Sequence, residues 1–553
     1  MPGGYPGAAP PMREDRRMHA DLVFTGGPVH TGDAARSRAG SVAVTGGRIT
    51  AVGGDPKPLI GPRTEVVDLR GRLLLPGFQD AHVHAVGAGI ELGRCDLTGA
   101  TTVAACRDAV AAHAAANPRL AWLTGSGWSM ESFEGGLPHR RLLDDVVADR
   151  PVVLVNRDHH GAWLNGVALA RAGITEDTPD PPDGRIERDA DGAATGVLQE
   201  GAMDLVTRLL PPSSAADELA GLLRAQRLLH SFGVTAWQDP LLGAYGGMPD
   251  PSGAYVDAIA RGVLTARVTG ALWWDRDRGA DQLPDLLERR ESLRRSGFRA
   301  GSVKIMLDGV AENQTAALLS PYLCGDHSGL SFVDPAALRE HVTLLDAHGF
   351  QVHFHALGDR AVRDALDAVE AARAANGWSD HRHHLAHLQV VHPDDVPRFR
   401  RLGATATIQP LWAVHEPQMD DLTVPFLGAE RAARQYPFGA LLRSGATLAA
   451  GSDWPVSSPD PLQGIHVAVN RTPHGENVPP FFPAQRIDLG AAIAAYTAGS
   501  AYVNHFDDAG SIRPGLRADL VVLDRDPFDG PESEIGAAKA ELTFTGGRCV
   551  HGP

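Results

Sequence analysis

Residues 73–84 read LLLPGFQDAHVH: an apolar run, a Pro-Gly turn, then a short strand carrying His82 and His84 two positions apart. Side chains alternate across a strand, so both imidazoles face the same way and can ligate one metal ion. A lone histidine is more often a hydrogen-bonded core or surface residue; the pair at this spacing favours a metal. Three further segments strengthen that reading. In residues 350–359, FQVHFHALGD, His353 and His355 share a face and His355 lies nearer the C-terminal end. In residues 383–389, HHLAHLQ, His387 occupies the same kind of position, whereas His353, His383 and His384 read as structural. In residues 446–455, ATLAAGSDWP, a small-residue strand delivers Asp453 just before a proline-marked loop. Three strand ends with histidine and a fourth with aspartate supply nitrogen ligands for a metal and a base for its water.

Such groups need strands ending side by side. Strand and helix patterns alternate through the middle of the chain, which predicts a parallel α/β architecture. Candidate strands fall at 76–84, 234–239, 266–273, 303–308, 350–355, 383–388, 405–410 and 446–453. Eight is the number that closes a (β/α)8 TIM-like barrel, whose active site lies at the C-terminal strand ends. About 150 residues separate the first two strands, far more than one helix needs. Residues 95–225 therefore read as an inserted α/β subdomain, placed after a barrel strand to wall or cover the site. Both chain ends read as short antiparallel strands, predicting one small β-sandwich from 20–75 and 506–553 beside a barrel at 76–505. The Pro/Gly-rich and then charged residues 1–19 read as a disordered leader without an apolar export core.

These motifs resemble the amidohydrolase superfamily of metal-dependent hydrolases, and more closely the subfamily that contains N-substituted formamide deformylase. The resemblance runs from about residue 20 to the end and rests on PGFQDAHVH (76–84), HALGDRAV (355–362), HLQ (387–389), GSDWPV (451–456) and GSIRPGLRADLVVL (510–523). DHHGAWLN at 158–165 and VKIMLDG at 303–309 are marks of the subfamily. The resemblance implies one or two divalent ions, zinc by default, held by His82, His84, His355, His387 and Asp453. It also implies that Lys304 is carboxylated by CO2 and bridges two ions; a buried lysine with a depressed pKa is a suitable nucleophile for that reaction. Asp453 would take the proton of the attacking water and pass it to the departing amine nitrogen. His160, Trp128 and Trp454 are candidate substrate contacts. One departure is Ala386, where relatives often carry glutamate before the sixth-strand histidine.

The reaction implied is hydrolysis of a small amide, an N-substituted formamide or another N-acyl amine. Two alternatives share the fold: mononuclear deamination of a ring amidine, and a non-catalytic metal-dependent sensor. A net charge of −16 argues against nucleic acid as partner, and no apolar run is long enough to span a membrane. Cys95, Cys106, Cys324 and Cys549 are scattered, as in a reducing cytosol. The expected partner is a small molecule in the cytoplasm, with a homodimer by analogy.

Overall fold

Eight parallel strands carry the site in a computed structural model that describes residues 19–245 and 249–552. In chain order they are β1 (Phe78–Asp80), β2 (Val234–Leu242), β3 (Arg267–Trp273), β4 (Arg299–Met306), β5 (Gln351–Ala356), β6 (His384–His387), β7 (Thr405–Ile408) and β8 (Thr447–Ala450). Each pairs with the next in sequence. The seam between β8 and β1 is bridged just beyond the regular ladder, by Ala81 N–H to Ala450 O at 2.9 Å and Asp453 N–H to His82 O at 2.8 Å. The result is a TIM-like barrel. Residues Val234–Leu242 are buried throughout, as expected of parallel strands covered on both faces. Outer helices follow the same logic. Helix Asp359–Asn376 buries Ala361, Val362, Ala365, Leu366, Val369 and Ala372 along one stripe. Helix Pro335–Ala347 starts where Asp334 accepts the Ala336 and Ala337 N–H groups, with proline at its first position.

Both chain ends meet in a second eight-stranded sheet. Leu73–Pro76 pairs there with Leu520–Leu523, so the apolar run before Pro-Gly belongs to this sheet and the barrel strand begins only at Phe78. The sheet is one connected surface that folds over its own core, where Phe24 meets Phe544 edge to face at 5.0 Å. The expected leader lies outside the described residues except His19.

A third, six-stranded sheet spans Cys95–Asp96 to Ala194–Glu200, between β1 and β2. Trp128, Phe133 and Trp163 pack edge to face in its core. The following helix, Ala215–Ser231, begins inside the span expected for the insertion, yet it packs Leu219, Leu222, Ala225 and Leu229 into the barrel core. Among the described residues no helix is long and apolar enough to cross a membrane.

Asn165 shows how the inserted sheet is locked. Its Oδ1 accepts the N–H of Val152 (3.0 Å) and of Ala168 (2.9 Å), capping helix Gly166–Ala172. Its Nδ2 donates to Val147 O (2.8 Å) and Arg150 O (2.9 Å). Truncation would take the Asn165 partner from four backbone groups, three of these bonds being buried. Asn165→Ala should therefore cost roughly 3 kcal/mol of stability, read as a lower denaturant midpoint; an unchanged midpoint would remove Asn165 from this role.

Candidate metal centre

His82 and His84 lie just past the end of β1, in a segment still bonded to strands on both sides. Val83 N–H donates to Gln238 O at 3.1 Å and His84 N–H to Trp454 O at 3.0 Å. Asp80 joins this segment to the end of β8: its carboxylate accepts the N–H of His82 at 2.9 Å and of Ser452 at 3.1 Å. The GSD segment must come this close. A Cβ on Gly451 would lie 2.8 Å from His82 N and Cβ, so only glycine fits there.

Asp453 then sits between the two histidines. Its Oδ1 is 3.3 Å from His82 Nε2 and 3.2 Å from His84 Nε2, and its Oδ2 is 3.8 Å from His387 Nδ1. Among the described residues, His82, His84 and Asp453 form the compact group whose ligand atoms suit one ion. His355 and His387 are adjacent but outside that group; their rings are 4.5 Å apart and the His387 ring is 4.9 Å from His82. Lys304, on β4, lines the same hollow as these five residues. His387 and Asp453 both hold positive φ (81° and 55°), a conformation uncommon for non-glycine residues and concentrated at functional sites.

The donor set fits a cation. Asp453 Oδ1, His355 Nε2 and His387 Nδ1 are buried without a hydrogen-bond partner, a costly state that a coordinated ion relieves. Burial, then the positive charge of Lys304, pulls His82 down to about 3. Burial also holds His355 and His387 well below the usual range, so all three are neutral ligands at physiological pH. Burial pushes the Asp453 carboxyl up, but the imidazoles of His82, His84 and His387 outweigh it and hold it well below its ordinary range. Burial draws the Lys304 amine down to about 7, with Asp453 opposing.

A polar chain fixes which His82 nitrogen faces the centre. Gln238 Oε1 lies 2.6 Å from His353 Nδ1, and His353 Nε2 lies 3.0 Å from His82 Nδ1. A carbonyl oxygen only accepts, so His353 donates from Nδ1 and accepts at Nε2. His82 then carries its proton on Nδ1 and presents the Nε2 lone pair to a metal. His383 bonds Asp346 and His384 bonds Thr407, each at 2.9 Å, as structural histidines.

Above the centre lies a cavity of about 490 Å3 lined by His160, His355, His387, Asp453 and Trp454. His160 stands in the turn joining Val152–Asn156 to Gly161–Leu164, its ring 5.5 Å from that of His355. Its Nδ1 is 2.9 Å from Glu200 Oε2, and Glu200 Oε1 accepts from Thr315 Oγ1 at 2.7 Å. Burial pulls the His160 ring down, but Glu200 outweighs it and raises the ring to about 9. Trp128 is corrected: it is not on the cavity wall. Its indole is buried among Phe133 and Trp163, with Nε1 donating to Leu154 O at 2.8 Å. Alternation within the inserted sheet turned it inward, which the sequence around it did not disclose. Sequence reasoning missed Glu200, Gln238 and Asp80; only Asp80, inside QDAHVH, lies in a motif that could have drawn notice.

The amidohydrolase family profile matches residues 65–551. The chain belongs to the amidohydrolase family. It is 32% identical to protein LONG AFTER FAR-RED 3 of Arabidopsis thaliana, over 96% of this chain and 92% of that one. It is 27% identical to the N-substituted formamide deformylase of Arthrobacter pascens, over 95% and 97% of the two chains. An uncharacterized metal-dependent hydrolase from Pyrococcus furiosus superposes with a TM-score of 0.68 at 26% identity, covering 92% of this chain and 99% of its own. This amidohydrolase therefore shares its fold with a metal-dependent hydrolase.

One pH effect follows from the buried ligands. The His82 ring titrates near 3 when folded and near about 6.5 when unfolded. Between those values the unfolded chain binds the extra proton, so stability is full above the unfolded value and falls as pH drops toward the folded one. Chelator-treated protein should lose stability between pH 7 and pH 5, and His82→Gln should flatten that loss. Equal slopes in the two proteins would contradict the assignment.

Proposed function

We propose that this amidohydrolase cleaves the C–N amide bond of a small molecule, an N-substituted formamide or another N-acyl amine. The observation that carries the reading is Asp453, ionised and buried between His82 and His84 at the floor of a cavity large enough for such a substrate. A divalent ion held by His82, His84 and Asp453, zinc by default for such donors, would supply an acidified water and polarise the substrate carbonyl. His355 and His387 would hold a second ion, and Lys304, as a carbamate, would supply an anionic ligand to the centre. An amine near neutrality is a competent nucleophile toward CO2, which supports that role for Lys304.

The chain's own groups do the rest. Asp453 accepts the proton of the attacking water and returns it to the amine nitrogen, which leaves poorly until protonated. His160, held by Glu200, offers its Nε2–H to the carbonyl oxygen as negative charge develops there. Trp454 lines the same cavity and would contact the substrate there. Four unpaired cysteines support a cytoplasmic setting. The second reading is mononuclear deamination, favoured by one fact: only His82, His84 and Asp453 form a compact ligand group among the described residues.

Asp453→Asn should keep metal while turnover of N-alkylformamides falls by about 10³-fold; wild-type turnover in that variant would remove Asp453 from proton transfer, and loss of metal would make it chiefly a ligand. Native mass spectrometry at neutral pH should show one CO2 increment that disappears in Lys304→Arg. Its absence from the wild type would point to the mononuclear reading.

A further inference from the structure

The cavity wall away from the metal centre offers acceptors without donors. Asp158, Glu312 and Gln389 all line it, and their Oδ2, Oε2 and Oε1 atoms are buried and receive no hydrogen bond. Gln389 is only 1% exposed, and its Nε2 is engaged with Gln435 Oε1 at 3.1 Å, leaving the carbonyl oxygen free. The remaining oxygens of the two acids are in use. Asp158 Oδ1 accepts the His160 N–H at 2.9 Å, and Glu312 Oε1 accepts from Gln418 Nε2 at 3.1 Å. Leaving such atoms unpaired is costly, and charged acceptors are the costliest.

The neighbouring cation does not serve them. Arg157 donates through Nη2 to Glu416 Oε1 at 3.0 Å, and its Nη1 lies 3.7 Å from Glu131 Oε1. That guanidinium is balanced by two carboxylates, so Asp158, and Glu312 where it is ionised, leave this wall negative. The strain shows in Glu312, which burial and then Asp158 push up to about 7. A metal is not the missing partner: among the described residues, the compact set of histidine, cysteine or carboxylate ligand atoms is the His82–His84–Asp453 group. What fits is a group with several N–H donors and a positive charge.

We infer that Asp158, Glu312 and Gln389 form a subsite for an organic ammonium group, so that the preferred substrate carries a protonated amine in addition to its scissile amide. This rests on the hydrolytic reading for the word substrate, though not for the binding. The acyl carbon would lie over Asp453 and the ammonium against the acceptor wall of the same cavity. Charge-assisted hydrogen bonds to buried carboxylates are the strong kind, which sets the size of the expected preference.

Calorimetry on the metal-loaded protein tests the binding with pentylammonium, 1-pentanol and pentanoate. Pentylammonium should bind about tenfold more tightly than pentanol, and that ratio should collapse in Glu312→Gln and recover in part in Glu312→Asp. In turnover, N-formyl-1,5-diaminopentane should exceed N-pentylformamide in kcat/KM by a similar factor, with the ratio again lost in Glu312→Gln. Ratios within one variant cancel any general damage to the protein. An intact ammonium preference with neither formamide turned over would support the subsite while removing the formamide chemistry. Equal binding of pentylammonium and pentanol, a preference for pentanoate through Arg157, or a ratio unmoved in Glu312→Gln would each overturn the subsite.

Discussion

The site depends on how the barrel is closed between its last and first strands. The hydrogen bond from Asp453 N–H to His82 O, at 2.8 Å, closes the seam and draws the GSD segment of one strand end against the HVH segment of the other. Asp80 reinforces the join from below by accepting from both segments. The carboxylate of Asp453 is thereby forced between two imidazoles. Closure and ligand assembly are the same event, so a chain that fails to close the barrel cannot make the centre.

Burial sets the chemistry once that geometry exists. It keeps the histidines neutral and lowers the Lys304 amine, while Asp453 remains ionised because imidazoles surround it. Each shift would be a liability in an ordinary core. At a metal centre the same shifts prepare lone pairs and a base. The chain Gln238–His353–His82 extends this order outward by fixing the ring orientation of one ligand.

Much of this was legible in the sequence where periodicity and motif coincided. The alternation in HVH and the strand ends at His355, His387 and Asp453 name residues that the fold brings together, because parallel strands end together on one face of a barrel. The apolar run at 73–75 reads with the strands of the chain ends, and its pairing with Leu520–Leu523 agrees; only the start of the first barrel strand moves, from residue 76 to Phe78, because a buried strand reads alike in either sheet. Trp128 reads as a candidate substrate contact but lies in a core, because its direction depends on the pleat of an inserted sheet whose register the sequence does not display. Glu200 and Gln238 escaped notice because each acts across the fold, 40 residues from His160 and 115 residues from His353. Local pattern carries no trace of such partners.

Convergence of four strand ends on a metal is read out by the metal content per chain of protein purified without added metal, compared with His82→Ala/His84→Ala. One or two ions per wild-type chain are expected, with near-complete loss in the double variant and the fold retained. Wild-type protein that takes up no metal, even after loading, would contradict the metal centre.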